Sequence, residues 1–248
     1  MSARVCVVTG SEGGIGSAIV RVLRTSRWKV VGIDVAVSGD GSQTIVGDAG
    51  DPTVVEQALE AVRRLGHLAG WVNNAAVFDD ADLVEDGAER VLAILDAHLR
   101  ACAIGCAAAV REFARVGSDG SIVNISSHQA VRPVPGALAY STAKAAVEGL
   151  TRALAVDHGA RGIRVNALAL GSIRTGRYDE YLRGLTPGER ERVTREMARV
   201  HPLGRVGEPE EVAHAVEFLL SPESSYLTGA VIPLDGGRSA RGVDPEER

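Results

Sequence analysis

The chain has 248 residues, long enough for one α/β domain with a sizeable core, and its 45% hydrophobic against 24% charged residues is the balance of a globular protein. Its 27 basic and 32 acidic residues leave a formal net charge of −5, which argues against a generic nucleic-acid or anionic-membrane surface. No apolar run approaches the roughly 18 residues needed to span a bilayer, and MSARVCVVTG enters a strand-like segment without a secretory h-region. Cytoplasmic residence is the expectation. Cys6 reads as a small core residue, and Cys102 and Cys106 lack a His or Cys at ligand spacing, so no metal site is expected.

Strand-like and helix-like segments alternate, the pattern of an α/β fold with a doubly wound parallel sheet flanked by helices. VCVVT at 5–9 reads as a buried strand, followed by a helix whose Ile15, Ala18, Ile19, Val22 and Leu23 form a core-facing stripe. VVGID at 30–34 and TIVGD at 44–48 are the next strands. Asp51 and Pro52 supply an N-cap and an N1 proline for a helix carrying Val55, Ala58, Leu59, Val62 and Leu65. LAGWVNNAA at 68–76 reads as a fourth strand and its exit turn, and an Ala-rich helix follows from about Gly87 to Val116.

SIVNIS at 121–126 is another strand, and a loop with Pro133, Pro135 and Gly136 leads into a helix carrying Tyr140. IRVNALAL at 163–170 is the next strand. The polar, Arg-rich excursion at 172–205 is punctuated by Pro187-Gly188 and holds a short amphipathic helix marked by Val193, Met197 and Val200, the profile of a substrate loop. Pro209 opens a last helix with Val212, Ala213, Val216 and Leu219, and AVIPLD at 230–235 closes the sheet. The charged segment 239–248 reads as a mobile tail, and 1–238 as one domain.

Three clusters carry chemistry. Gly10, Gly14 and Gly16 lie in TGSEGGIG at 9–16, where glycines let backbone amides approach a pyrophosphate at a helix N-terminus. Asp34 ends the second strand, where a carboxylate either accepts from adenosine ribose hydroxyls and repels a 2′-phosphate, or caps a turn. With Glu12 in the loop and Val35-Ala36 following, no cation compensates a 2′-phosphate, so NAD is expected over NADP. Tyr140 and Lys144 in AYSTAK share a helix face one turn apart, either as surface decoration or as a phenol whose pKa an ammonium lowers into a usable acid/base.

These motifs, with NNAA at 73–76, GSIVNISS at 120–127, IRVNALALGSIRT at 163–175, GRVGEPEEVA at 204–213 and SYLTGAVIPLDGG at 225–237, closely resemble the short-chain dehydrogenase/reductase family along nearly the whole chain. The resemblance implies a Rossmann-type fold with a seven-stranded parallel sheet, a homotetramer or homodimer, and interconversion of a secondary alcohol and its ketone by hydride transfer. It makes Tyr140 the acid/base, Lys144 its electrostatic partner and Ser127 the holder of the substrate oxygen, with Ser126 directed to the opposite side of the strand. It also assigns cofactor contacts to Gly10, Glu12, Gly14, Ile15, Gly16, Asp34, Asp48, Ala49, Asn73, Asn74, Ala75, Tyr140, Lys144, Ile173 and Thr175. Asp48 would meet the adenine or, alternatively, cap a strand end, and Asn124 reads as structural.

The sequence departs from the family at three places. NNAG becomes Asn73-Asn74-Ala75-Ala76, adding a methyl group near the cofactor, and P-G becomes Leu170-Gly171, removing a fixed φ before the substrate loop. His98 stands where the family has an Asn supporting a water-mediated proton relay; it is either a replacement for that relay, titrating near neutral pH, or an inert helix histidine. For the substrate pocket, His128, Gln129, Arg132 and Val134 are the candidates after Ser127, with Arg174, Arg177, Tyr178 and Tyr181 at the start of the loop. The alternative to an enzyme is a catalytically silent NAD-binding sensor or scaffold with the same fold.

Overall fold

The computed structural model describes residues 2–37, 43–77 and 79–242. Seven strands form one all-parallel sheet: β1 Arg4–Thr9, β2 Lys29–Asp34, β3 Thr44–Val46, β4 His67–Asn73, β5 Gly120–Ser127, β6 Ile163–Leu170 and β7 Val231–Leu234. Their order is β3-β2-β1-β4-β5-β6-β7, so the chain reverses its direction of winding between β1 and β4. In a sheet of this kind the crevice beyond the carboxyl ends of those two strands is the ligand site. The Rossmann-type architecture is the one expected.

Helices cover both faces. On one side α2 (Pro52–Leu65), α3 (Gly87–Val116) and α4 (Leu138–His158) bury Val55, Val62, Phe113 and Val147 against Val7, Trp71 and Ile122. On the other, α1 (Gly14–Thr25) and a helix near the C-terminus, Pro209–Leu220, bury Ile19, Leu23, Val216 and Leu219 against Cys6, Val30 and Val123. At about 25 cal/mol per Å² of apolar surface removed from water, these two layers are the main stabilising term. Gly105 lets α3 approach the sheet: a Cβ there would lie 2.2 Å from Asn73 Oδ1.

Four expectations are corrected. The third strand stops at Val46, because Gly47 and Asp48 turn away and Asp48 Oδ1 accepts from Gly50 N at 2.7 Å. The excursion holds two helices, α5 (Gly176–Arg183) and α6 (Pro187–Val200), rather than one. Pro187 opens α6 instead of interrupting it, since a first-turn proline needs no donor, and Thr186 with Glu189 closes a capping box around it. The C-terminal helix is therefore α7.

Third, α3 does contain an 18-residue window apolar and long enough to cross a membrane by length and composition, 44% of it buried inside the fold. Its apolarity serves the core, where Ile94, Cys102, Ala109 and Phe113 pack. Last, the tail begins as ordered chain: Ser239 N donates to Asp235 Oδ2 at 2.8 Å, its hydroxyl bonds the same oxygen, and Arg241 reaches Arg199 O at the end of α6. Residues 243–248 of the expected mobile tail lie outside the described residues.

Candidate active site

The glycine loop between β1 and α1 is shaped by contacts that leave no room for side chains. A Cβ on Gly16 would sit 1.8 Å from Gly10 O, and one on Gly10, whose φ is +65°, would lie 3.0 Å from Ala75 Cα. Thr9 and Asn74 lock the loop to the exit of β4: Thr9 Oγ1 accepts from Asn74 N and Ala75 N, and Asn74 Nδ2 donates to the Thr9 and Gly10 carbonyls, all at 3.0 Å. The backbone is thereby held open at the N-terminus of α1, whose unpaired amides and partial positive charge suit a phosphate.

A cavity of about 940 Å³ runs from this loop along the sheet edge. Gly10, Gly14, Ile15, Gly16, Asp34, Asp48, Ala49, Asn74 and Ala75 line it towards the loop, and Ser127, Tyr140, Lys144, Ile173 and Thr175 line it further along. At its β2 end, Asp34 Oδ2 accepts from Glu12 N at 2.8 Å, and Glu12 Oε1 accepts from Thr44 Oγ1 at 2.7 Å. Two carboxylates therefore stand together where the second strand ends, although Glu12 itself turns to Thr44 rather than into the cavity.

Tyr140, Lys144 and Ser127 converge at the far end. Ser127 ends β5 with its Oγ accepting from Gln129 N at 3.2 Å, which leaves the hydroxyl proton to donate. Ser126, its neighbour, turns the other way and donates to Glu148 Oε1 at 3.0 Å. Lys144 Nζ donates to Ile125 O at 2.8 Å and stands 5.6 Å from the centre of the Tyr140 ring. Burial pulls the Lys144 ammonium down to about 8. Burial also raises the Tyr140 phenol above its ordinary value; hydrogen bonding with Ser127, and then the Arg177 charge, oppose this without overcoming it.

A family model described as enoyl-(acyl carrier protein) reductase matches residues 10–239. The chain is a short-chain dehydrogenase/reductase. It is 32% identical over 253 residues to levodione reductase of Leifsonia aquatica, covering 96% of this chain and 94% of that protein. It is 35% identical over 250 residues to cis-4-hydroxycyclohexanecarboxylate dehydrogenase of Sinomonas cyclohexanicum, covering 96% and 97%. The solved aldohexose dehydrogenase of Thermoplasma acidophilum superposes with a TM-score of 0.89 at 32% identity, covering 99% of this chain and 98% of that one.

As a member of this family the chain is an oxidoreductase of alcohol or ketone groups that uses a nicotinamide cofactor. The cavity fits such a group: the glycine cradle would be filled by any Cβ at Gly16, and one continuous space joins it to the hydroxyl-bearing end. Thr175, the N-cap of α5, packs against the cradle, since a Cβ on Gly14 would lie 3.2 Å from Thr175 Cβ. Ile173 is held by a bridge to Gly207. The start of the substrate loop is thus tied to the nucleotide loop.

Several sequence expectations need correction in this short-chain dehydrogenase/reductase. Lys144 does not lower the Tyr140 pKa appreciably; desolvation of the phenol outweighs the charges the protein itself brings near it. Asn73 faces the interior, accepting from Trp71 Nε1 and donating to Asn124 Oδ1, each at 2.8 Å; Asn74 and Ala75 reach the cavity instead. Asn124 passes the network on to Thr151 Oγ1 at 2.9 Å, the structural part expected of it. Asp48 both caps its turn and lines the cavity.

His98 is 5% exposed and packs edge-on against Tyr140 rather than lining the cavity. Its pKa is pushed down to about 4 by burial and by the Lys144 charge, with Asp80 opposing, so it does not titrate near neutral pH. His128, Gln129, Arg132 and Val134 are likewise absent from the cavity wall among the described residues. His128 is buried beside Arg238, Asp235 and His201.

Of the substrate-loop candidates, Arg177, Tyr178 and Tyr181 do line the cavity, whereas Arg174 pairs with Glu208 at 3.4 Å. Sequence reasoning missed Ala97 and Ala101 of α3, which also line it. Their only signal was position on the turn beside His98.

Proposed function

We propose that this protein is an NAD-dependent oxidoreductase that interconverts a secondary alcohol and its ketone. The observation that carries the reading is one cavity lined by Asp34 at one end and by Ser127, Tyr140 and Lys144 at the other. Bound there, the nicotinamide would supply the hydride acceptor in oxidation and the donor in reduction. The glycine loop, Asp48, Ala49 and Asn74 would hold the dinucleotide, and Ile173 and Thr175 would orient its reacting ring.

Ser127 donates its hydroxyl proton to the substrate oxygen, and the Tyr140 phenol meets the same oxygen. Two donors on one oxygen stabilise alkoxide character as it develops, a contribution of about 10²–10³ in rate per donor. In reduction Tyr140 gives its proton to that oxygen; in oxidation its phenolate takes it. Lys144, held by Ile125 O, keeps a positive charge beside the ring. NAD is preferred because Asp34, backed by Glu12, meets the adenosine ribose with negative charge, and like charges brought together cost several kcal/mol against a 2′-phosphate.

The relatives named for cis-4-hydroxycyclohexanecarboxylate and for aldohexose make small cyclic and polyhydroxy alcohols the first compounds to try. A homotetramer or homodimer is the proposed assembly, supported by the exposed Leu92 of α3 and Val156 of α4. Cytoplasmic residence, also proposed, suits three cysteines that are all free thiols. A silent NAD-binding sensor is the less favoured reading, since Ser127, Tyr140 and Lys144 are all present in the cavity.

The test is NADH formation across a panel of alcohols, with Tyr140→Phe as control and direct titration of NAD and NADP. Turnover lost by about 10²–10⁴ in the variant, with tighter NAD binding, is expected. Nucleotide binding without turnover on any alcohol or ketone would favour the sensor.

A further inference from the structure

We infer that Arg177 selects the substrate, and that the substrate is a secondary alcohol or ketone that also carries a carboxylate; this rests on the alcohol–ketone reading above. The charges along the cavity wall are divided by position. Asp34 ends β2 and Asp48 follows β3 at the nucleotide-loop end, while Lys144 and Arg177 stand at the Tyr140 end. Among the described residues no other charged side chain lines the cavity. Lys144 is buried beside Tyr140 with Nζ bonded to Ile125 O, which leaves Arg177 as the cation on the substrate-loop wall.

Arg174, Arg183 and Arg190 of the same loop do not line the cavity. Arg174 lies against Glu208, Arg183 against Glu180, and Arg190 Nε donates to Leu182 O at 3.0 Å. Arg177 sits in the first turn of α5, two residues after the N-cap Thr175, whose methyl side meets the nucleotide loop. Its charge is felt at the Tyr140 phenol, so it stands close to the reacting end. The rest of that wall is apolar or phenolic: Ala76, Val77, Ala97, Tyr178 and Tyr181.

A guanidinium presents parallel N–H donors that match a carboxylate bidentately, and the positive end of α5 adds to its field. A neutral substrate would use none of this. An acid would be held at two points, its hydroxyl at Ser127 and Tyr140 and its carboxylate at Arg177. The cofactor's pyrophosphate is the competing anion, so the experiment must separate the two.

The experiment compares three acids with their methyl esters: 3-hydroxybutyrate, 4-hydroxycyclohexanecarboxylate and mandelate. The full-length protein, Arg177→Met and Arg177→Lys are each assayed with NAD, and NADH affinity is read by fluorescence. The acid-to-ester ratio of kcat/KM is expected to favour the acid at least tenfold in one pair. Arg177→Met should reduce that ratio by about 10–100-fold through KM, as loss of a charge-assisted pair predicts, and Arg177→Lys should recover part of it.

No acid preference in any pair, or equal losses on acid and ester, overturns the inference. So does a fall in NADH affinity as large as the fall in acid selectivity, which would assign Arg177 to the cofactor. Equilibrium binding of the same acids and esters to the NADH complex separates this inference from the reading beneath it. An Arg177-dependent acid preference in binding, without turnover, sustains the anion site while rejecting the oxidoreductase. Absence of that preference in binding rejects the site.

Discussion

The His98 ring meets the Tyr140 ring edge to face, with centroids 5.5 Å apart and planes at 74°. The imidazole thus packs directly on the phenol. Because the site buries it, His98 stays neutral throughout the pH range in which the phenol has to work.

That neutrality has a cost in acid. The pKa values of His98 and His128 are both lowered to about 4 from 6.5, so between those limits the unfolded chain takes up protons that the folded chain refuses. Stability is full above pH 6.5 and falls as the pH drops, by about 1.4 kcal/mol per unit for each histidine. Glu112 and Glu211, lowered to about 2, lose their contributions only below about 4.5, which leaves the 6.5–4.5 window to the histidines. A His98→Asn, His128→Asn double variant should show a flatter melting temperature over that window. A slope equal to that of the unchanged protein would sink the assignment.

The raised Tyr140 pKa separates the two directions of reaction. The protonated phenol, the acid needed for ketone reduction, dominates below that pKa, so reduction should stay level through neutral pH. Alcohol oxidation needs the phenolate and should rise with pH over the same range. Ser127→Ala removes the hydrogen bond that draws the pKa down, so the oxidation limb should move to higher pH while the rate falls about 10²–10³. The check is the pair of pH–rate profiles; an unmoved limb would separate Ser127 from the phenol.

Gly16 and Gly13 differ in what a methyl group would meet. At Gly16 it would strike backbone at 1.8 Å, whereas at Gly13 the nearest atom is Gly10 O at 3.7 Å, an ordinary contact. Gly16→Ala should destabilise by roughly 3 kcal/mol or more and abolish nucleotide binding, while Gly13→Ala should be tolerated. Thermal melts with and without NAD decide the matter, and equal behaviour of the two variants would contradict the close-approach argument.

The substrate loop is tied to the C-terminal segment at Ser172 and at Leu203, whose N donates to Gly236 O at 3.1 Å, and is closed on itself by His201. Arg238 Nη1 donates to Ser172 Oγ at 3.2 Å, and His201 Nε2 accepts from Ser172 N at 3.3 Å while His201 Nδ1 donates to Met197 O at 2.7 Å. Arg238→Ala and His201→Leu should therefore loosen 172–205, raising substrate KM several-fold and exposing the loop to limited proteolysis. Cleavage at the unchanged rate in both variants would show that these ties do not hold the loop.

Much of this was legible in the sequence because it depends on neighbours in the chain. The apolar stripes at Ile15–Leu23 and Val55–Val62, the Asp51-Pro52 cap and the glycine loop all follow from spacings of a few residues, and each appears where expected. Pro187 was misread as punctuation, since a proline's effect turns on whether Thr186 and Glu189 close a cap around it. The candidates after Ser127 failed because a turn at 128–130 carries His128 behind the cavity, towards Asp235 and Arg238 more than a hundred residues away.

By itself, then, the sequence determined the alternation of parallel strands and helices, the cradle between β1 and α1, and the residue types available for proton and hydride chemistry. Periodicity, capping and glycine sterics are local, and the order of motifs supplied the family. Only the tertiary structure decided that Arg177 rather than Arg132 faces the cavity, that Asn73 is buried, and that Tyr140 and His98 have shifted pKa values. Those properties are set by desolvation and by charges brought together from distant parts of the chain, which no spacing along it records.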